Sequence, residues 1–337
     1  MAAFRDREMI ASHKRPAPGA ASGGVSFIEP RALMRIKNLQ LRARVIVEGF
    51  YAGIHRSPYH GFSVEFSEYR QYTPGDDLRY FDWRLFARTD RGYVKRFEDE
   101  TNLLCYILAD LSKSMSYGSG LLTKSEYART LAATLAYFLH LQRDAVGLVA
   151  FDEDIVDYLP PRHRPGHLRR IMAVLQREPA GKSTNLAKPL EQIAQTVRKR
   201  GLVILISDLL TDSEVFRTKL GYLRSRGHDV AVFRVLDPAE LTFSFSTPAM
   251  FNDLESGRRL YVDPEAARAR YLERFGAHAS ELEKVCRDAG ADYVVCPTDR
   301  PLELALVDLL RTRLRRGRQS RRRPGAGDRA GARRPVE

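Results

Sequence analysis

Three features of this 337-residue sequence predict an α/β fold: a doubly wound, mostly parallel sheet with a small N-terminal α+β elaboration. From residue 102 onward, short apolar runs alternate with amphipathic stretches, the rhythm of strands and crossover helices. The first of those runs is apolar throughout and closes on a carboxylate, as a strand buried on both faces of a parallel sheet should. Residues 25–99, rich in Gly, Pro and aromatics, do not follow the rhythm.

The elements follow in order. LLCYILAD (103–110) is the first strand of the main sheet. KSEYARTLAATLAYFLHLQ (124–142) places Tyr127, Leu131, Leu135, Phe138 and Leu139 at helical spacing, and Thr123 with Glu126 makes a capping-box pattern at its start. AVGLVAF (145–151) is the next strand, with IVDYL (155–159) returning beside it at an edge. Helices near 167–177 and 186–200 lead to the strand LVILISD (202–208), a helix at 213–226 and the strand DVAVFRVL (229–236). The stretch 241–262 breaks the pattern, and Ser256-Gly257 can turn a small hairpin inserted in the crossover. A long helix at 264–289, the strand ADYVVC (291–296) and a helix at 300–314 complete the domain. Earlier, a helix is expected at 30–47, half-exposed strands in SVEFSEYRQY and GYVKRFEDE, a turn at TPGDD and a short helix at 81–87. The expected division is a disordered leader (1–24), an N-terminal module (25–100), the α/β domain (101–314) and a disordered arginine-rich tail (315–337).

Composition narrows the class. At 44% hydrophobic and 29% charged, the chain reads as a soluble globular protein. No apolar run approaches the ~20 residues that span a bilayer, and the polar N-terminus lacks a signal-peptide core, so a cytoplasmic location is expected. Three scattered cysteines, Cys105, Cys286 and Cys296, suit buried thiols rather than a disulfide framework or metal cluster. Of the net charge of +13, residues 311–337 supply +9, from eleven arginines against Asp328 and Glu337. The basicity therefore belongs to the tail, and a solvated extension is favoured over a nucleic-acid or lipid-binding one.

At the end of the first strand the sequence reads Asp110-Leu111-Ser112-Lys113-Ser114. A carboxylate at a strand tip followed by hydroxyls at alternate positions can turn three hard oxygens toward one point, the donor set that Mg²⁺ or Mn²⁺ takes. Alone the pattern is weak, because Asp and Ser are ordinary turn formers and helix caps. Thr184, in the loop GKSTNLAKPL, and Asp208, closing LVILISD, strengthen it, since those loops belong on the same edge of a doubly wound sheet.

The order DxSxS, then Thr, then Ser-Asp at a strand end resembles the metal-ion-dependent adhesion site of von Willebrand factor A domains. The run HGFSVEFSEYRQYTPGDDLRYFDWRLFARTDRGYVKRFEDE (60–100) resembles the signature of the bacterial domain-of-unknown-function 58 family. The two matches together cover most of residues 40–310. The resemblance implies a von Willebrand factor A-like fold in a non-enzymatic interaction module, working with a MoxR-type AAA+ ATPase in chaperone-like assembly or activation of a client protein. It implies that Asp110, Ser112 and Ser114 are direct or water-mediated ligands of Mg²⁺ (or Mn²⁺), that Thr184 binds in one state of the site, and that Asp208 acts mainly through water. A carboxylate of the partner would complete the shell.

Other signals are set aside. GKST (181–184) lacks the first glycine of a phosphate-binding loop, since Gln176 stands in its place. A haloacid-dehalogenase-like phosphatase needs a second Asp where Ser112 stands, and no GxSxG elbow occurs. His163 and His167, separated by Pro165-Gly166, read as a solvated loop rather than a zinc site, and Asp152, Asp154 and Asp157 as turn decoration. The charged residues Arg70, Asp76, Asp77, Arg79, Asp82, Arg84 and Arg88 around Trp83 read as an internal joint ahead of a partner surface. The competing functional readings are a metal-dependent hydrolase using Asp110 and Asp208, and nucleic-acid binding through the basic tail.

Overall fold

The computed structural model describes residues 30–56, 69–71, 88, 93–95, 103–120, 122–177, 187–196, 199–254 and 257–310. The leader, the TPGDD turn, the short helix at 81–87, Trp83 and its neighbouring acids, the site residue Thr184 and the basic tail lie outside the described residues.

Two helices, α1 (Pro30–Met34) and α2 (Leu39–Arg56), stand where one was expected at 30–47. Asn38 causes the break: its side chain accepts the Leu41 N–H at 2.9 Å and caps the second helix. The Arg42 guanidinium then satisfies the freed carbonyl of Ile36 through two hydrogen bonds, 3.1 and 2.9 Å long. The expected N-terminal strands pair antiparallel over the short β1 (Tyr69–Gln71) and β2 (Tyr93–Lys95).

The main unit alternates as its sequence does: β3 (Leu104–Asp110), α3 (Lys124–Leu141), β4 (Ala145–Phe151), β5 (Ile155–Arg162), α4 (His167–Leu175), α5 (Ala187–Thr196), β6 (Leu202–Ser207), α6 (Ser213–Ser225), β7 (Asp229–Leu236), α7 (Pro238–Thr242), β8 (Ala249–Asn252), β9 (Arg259–Val262), α8 (Pro264–Asp288) and β10 (Asp292–Pro297). Helical turns at 303–310 follow. Six strands form one sheet in the order β10-β7-β6-β3-β4-β5, parallel throughout except for the antiparallel edge strand β5. Strand order reverses between β3 and β6, which opens a crevice at their carboxyl ends.

Side chains leave a strand alternately to its two faces, so the apolar strands feed two cores. Cys105, Ile107 and Ala109 of β3 and Leu202, Ile204 and Ile206 of β6 pack beneath α2, α3 and α4. Tyr106 and Leu108, with Val203 and Leu205, pack beneath α5, α6 and α8. α3 is covered on a second side by α2, where Ala43, Ile46, Val47 and Phe50 supply a stripe at helical spacing and Phe50 meets Phe138 edge to face at 5.8 Å. That double burial explains Thr130 and Thr134, which satisfy their hydroxyls on the carbonyls of Glu126 and Thr130 at 2.8 and 2.7 Å.

The hairpin expected within 241–262 is present as β8 and β9. Its turn closes through Asp253 N–H to Arg258 O (2.8 Å) and Gly257 N–H to Asp253 O (2.9 Å), with Gly257 at φ +70°, where a side chain is disfavoured. The three cysteines are buried and free, and burial pushes the thiols of Cys286 and Cys296 up to about 12. No helix among the described residues is long and apolar enough to cross a membrane.

Candidate metal centre

The crevice at the strand-order reversal gathers most of the residues singled out from the sequence. β3 delivers Asp110 to its carboxyl end, only 1% exposed. The chain then turns back on itself: the Ser112 N–H donates to Asp110 Oδ1 at 2.9 Å, and a 3-10 turn over Lys113–Ser116 brings Ser114 round to the same side. Ser112 Oγ and Ser114 Oγ lie 3.0 Å apart. In an octahedral shell with metal–oxygen distances of ~2.1 Å, neighbouring ligands are separated by ~3.0 Å, because an octahedron's edge is √2 times its radius. The hydroxyl pair thus has the spacing of two adjacent ligands of a small divalent cation, as well as that of a hydrogen bond.

β6 supplies the other wall. Ser207, its last residue, donates its hydroxyl to Asp110 Oδ2 at 2.6 Å and accepts the Leu209 N–H at 3.0 Å. Asp208, fully buried, accepts the Leu210 N–H at 3.2 Å. This local wrap needs Leu209 at φ +54°, a left-handed conformation that costs a bulky residue of order 1–3 kcal/mol and recurs at ligand sites. His278 of α8 bonds the Leu209 carbonyl at 3.2 Å, and Arg234 of β7, completely buried, donates Nε–H to the Asp208 carbonyl at 3.0 Å. Burial and the neighbouring charge of Asp208 push the Asp110 carboxyl up to about 7, against the opposing hydrogen bonds from Ser207 and Ser112.

Further contributors lie outside the predicted set. Lys124, at the first position of α3, is 1% exposed and reaches Asp208 Oδ2 at 2.9 Å and Glu240 Oε1 at 2.7 Å. Burial by itself pulls its ammonium toward neutrality, but the two carboxylates outweigh it and hold the lysine above its ordinary range. Asp237, capping α7, accepts both the N–H (2.9 Å) and the hydroxyl of Ser119, which ties the loop after Ser114 to the end of β7. One sequence signal pointed to Lys124: a cation in the first helical turn works against the helix dipole and so needs another partner. Another pointed to Arg234, a charge in an otherwise apolar strand. Asp237 and Glu240 form the capping box of α7, a pair absent from the sequence-based expectations.

Of the five predicted ligands, Asp110, Ser112, Ser114 and Asp208 therefore share one crevice; Thr184 lies outside the described residues. The donor set is oxygen only, which fits Mg²⁺ or Mn²⁺ and not a soft metal. Among the described residues no group of three His, Cys, Asp or Glu could hold a metal ion, so the candidate set relies on hydroxyl oxygens beside Asp110. His167 corrects the reading of a solvated loop. It is buried at the start of α4 and bonds the Val146 carbonyl at 2.8 Å, a structural role. Asp154 and Asp152 do decorate the β4–β5 turn.

The site is accessible on one side. A cavity of about 320 Å³ lies against Ser114, walled by Tyr117, Lys124, Leu210, Glu240, Asp253 and Leu254. Asp110 and Ser112 lie deeper, so an incoming group meets Ser114 first.

Comparison with known proteins places these observations in context. The family described as Protein of unknown function DUF58 matches residues 68–281. An uncharacterized protein of Mycobacterium tuberculosis is 27% identical over 292 residues, 85% of this chain and 91% of that relative. The Magnesium-chelatase 67 kDa subunit of Chlorobaculum parvum is 29% identical over 132 residues, 38% of this chain and 20% of the subunit. The solved structure of the SpRpn10 VWA domain is similar at a TM-score of 0.38 and 15% identity, covering 61% of this chain and 94% of that domain.

Proposed function

The chain belongs to the DUF58 family, and on that premise we propose that it is a protein-interaction module whose Asp110–Ser112–Ser114 edge holds Mg²⁺ or Mn²⁺ and binds a carboxylate of a partner protein. The observation that carries this reading is the hydroxyl pair 3.0 Å apart beside a buried carboxylate at the reversal of strand order. Asp110 and the two serines would hold the ion, with Thr184 and Asp208 around it. When bound, the cation supplies an anchor for an acidic side chain, because its charge is met by one direct carboxylate only. The chain's own residues do the rest. Ser207 and the Ser112 amide orient Asp110, Arg234 and His278 fix the backbone around Asp208, and Lys124 neutralises Asp208 so that it adds little to the shell's negative charge.

The partner we propose is a MoxR-type AAA+ ATPase, with the pair acting on a client protein in chaperone-like assembly or activation. Resemblance to that class of pairing supports it, as does the partial match to a subunit of magnesium chelatase. The hydrolase alternative has less support, since Asp110 and Asp208 are each engaged by a hydrogen-bond donor, Ser207 and Lys124. The test is capture of the MoxR-type ATPase from the same genome by the tagged chain, with and without EDTA and with Ser112→Ala. Capture is expected to fall at least about tenfold in both conditions, equivalent to ~1.4 kcal/mol. Undiminished capture in EDTA would sink the metal-dependent part of the reading.

A further inference from the structure

A second, larger cavity of about 950 Å³ opens between α7, the β8–β9 hairpin and the first half of α8. Its wall is aromatic. Phe243 packs on Tyr271 at 4.5 Å and on Phe245 at 5.2 Å, Phe245 meets Phe251 at 5.0 Å, and Tyr271 stacks on Phe275 at 5.6 Å. Phe243 holds this cluster together from a left-handed backbone, φ +48°, which for a bulky residue must be imposed by its surroundings. At the rim the hairpin shows Leu260 and Tyr261, 67% and 66% exposed, beside the aromatic wall.

Two arginines and two acids, Glu240 and Asp263, line the cavity, but among the described residues no ion pair joins them to each other. Arg270 and Arg274 stand one helical turn apart on α8 and both line the cavity. Among the described residues neither pairs with a carboxylate. The two acids that share the wall are already engaged: Glu240 by Lys124 at 2.7 Å, and Asp263 as the cap of α8, accepting the Glu265 N–H at 3.1 Å. The cavity therefore presents aromatic faces beside two unspent guanidinium groups. It also adjoins the metal edge, because Tyr117 and Glu240 line both this cavity and the small one against Ser114.

We propose that this cavity is a second recognition pocket for the partner, taking a large apolar or aromatic side chain from a segment rich in Asp and Glu. Arg270 and Arg274 pair with carboxylates flanking that side chain, and the hairpin residues Leu260 and Tyr261 close over it. A buried aromatic anchor ringed by charge-assisted pairs is the usual core of a strong protein contact. The shared wall lets one acidic segment reach both the pocket and the cation. This inference rests on the reading of the metal edge as a carboxylate-binding site and names the kind of segment that edge would receive.

The probe is acetyl-Asp-Phe-Asp-Glu amide carrying 4-fluorophenylalanine, followed by fluorine NMR line broadening on the full chain in Mg²⁺ and in EDTA. The unlabelled parent peptide should compete at least about tenfold better than its Phe-to-Ala form, the worth of burying one aromatic side chain. It should also outcompete acetyl-Asn-Phe-Asn-Gln amide. Arg274→Glu and Leu260→Ser, both at exposed positions and with circular dichroism as the check that the fold is kept, should each weaken binding several-fold. Equal competition by the Ala peptide or the uncharged peptide, or binding untouched by both substitutions, overturns the proposal. Binding that keeps its dependence on Phe and on Arg274 but ignores EDTA supports the pocket and removes the metal reading. Binding abolished by EDTA yet indifferent to both substitutions does the reverse.

Discussion

Buried beside Asp208, the Asp110 carboxyl keeps its proton up to about 7, so a divalent cation has to displace that proton to bind. The sign follows. Affinity for Mg²⁺ should rise between roughly pH 6 and pH 8 and level off once Asp110 is ionised. Without metal, an acid whose folded pKa lies above its unfolded ~3.9 costs stability as pH rises from about 4, and the cost is fully developed once pH passes about 7. Calorimetry at the two pH values, with Asp110→Asn as a near-isosteric variant, checks this: the wild type should bind more tightly at the higher pH, and the variant weakly at both. A flat profile would separate Asp110 from the metal. Lys124 is the other decisive residue at this scale. Lys124→Met leaves Asp208 and Glu240 without their shared cation, and breaking a buried pair from one side costs roughly 3–5 kcal/mol. Urea denaturation should show that loss, and added Mg²⁺ should recover part of it by supplying positive charge to the same crevice. A variant as stable as wild type would mean that the crevice readily admits water or ions.

At the scale of elements, the start of α3 joins stability to the site. The capping box is complete, with Glu126 N–H to Thr123 Oγ1 and Thr123 N–H to Glu126 Oε2, each 3.1 Å, and the next residue is Lys124. Thr123→Ala should cost ~1 kcal/mol, seen as a fall of roughly 2–4 °C in the melting temperature of a domain this size. Because fraying there frees Lys124, Mg²⁺ affinity should change too; an unaltered metal isotherm would show that the helix start and the crevice are independent. This capping box was legible from Thr123 and Glu126 alone, as were the strands, whose apolar runs have no other stable home. The single helix expected over 30–47 was not legible, because its pattern continues through a residue, Asn38, that ends one helix by capping the next.

For the molecule as a whole, charge and fold are separable. Residues 315–337 carry nine arginines against Asp328 and Glu337, +7 of the chain's +13, while the other 314 residues share +6. Truncation after Leu314 should leave Mg²⁺ affinity and melting temperature unchanged and remove any salt-dependent retention on DNA, which scales with the cations that meet phosphates. DNA retention that survives truncation would place the basic surface on the body and revive the nucleic-acid reading.

Local physics settled the alternation of strands and helices, the inserted hairpin and the candidate ligands at strand ends, since each depends on residues within a few positions of one another. The sequence by itself thus determined the fold class and pointed to five oxygen residues for one sheet edge, of which Thr184 lies outside the described residues. Tertiary structure decided what surrounds them. Lys124 reaches Asp208 across 84 positions, Ser207 reaches Asp110 across 97, and Glu240 meets Lys124 across 116. The aromatic pocket likewise exists only where a hairpin, a short helix and a long one converge. Such partners are chosen by the pairing of strands and the need to neutralise buried charge, and no local pattern in the chain encodes which distant residue will answer that need.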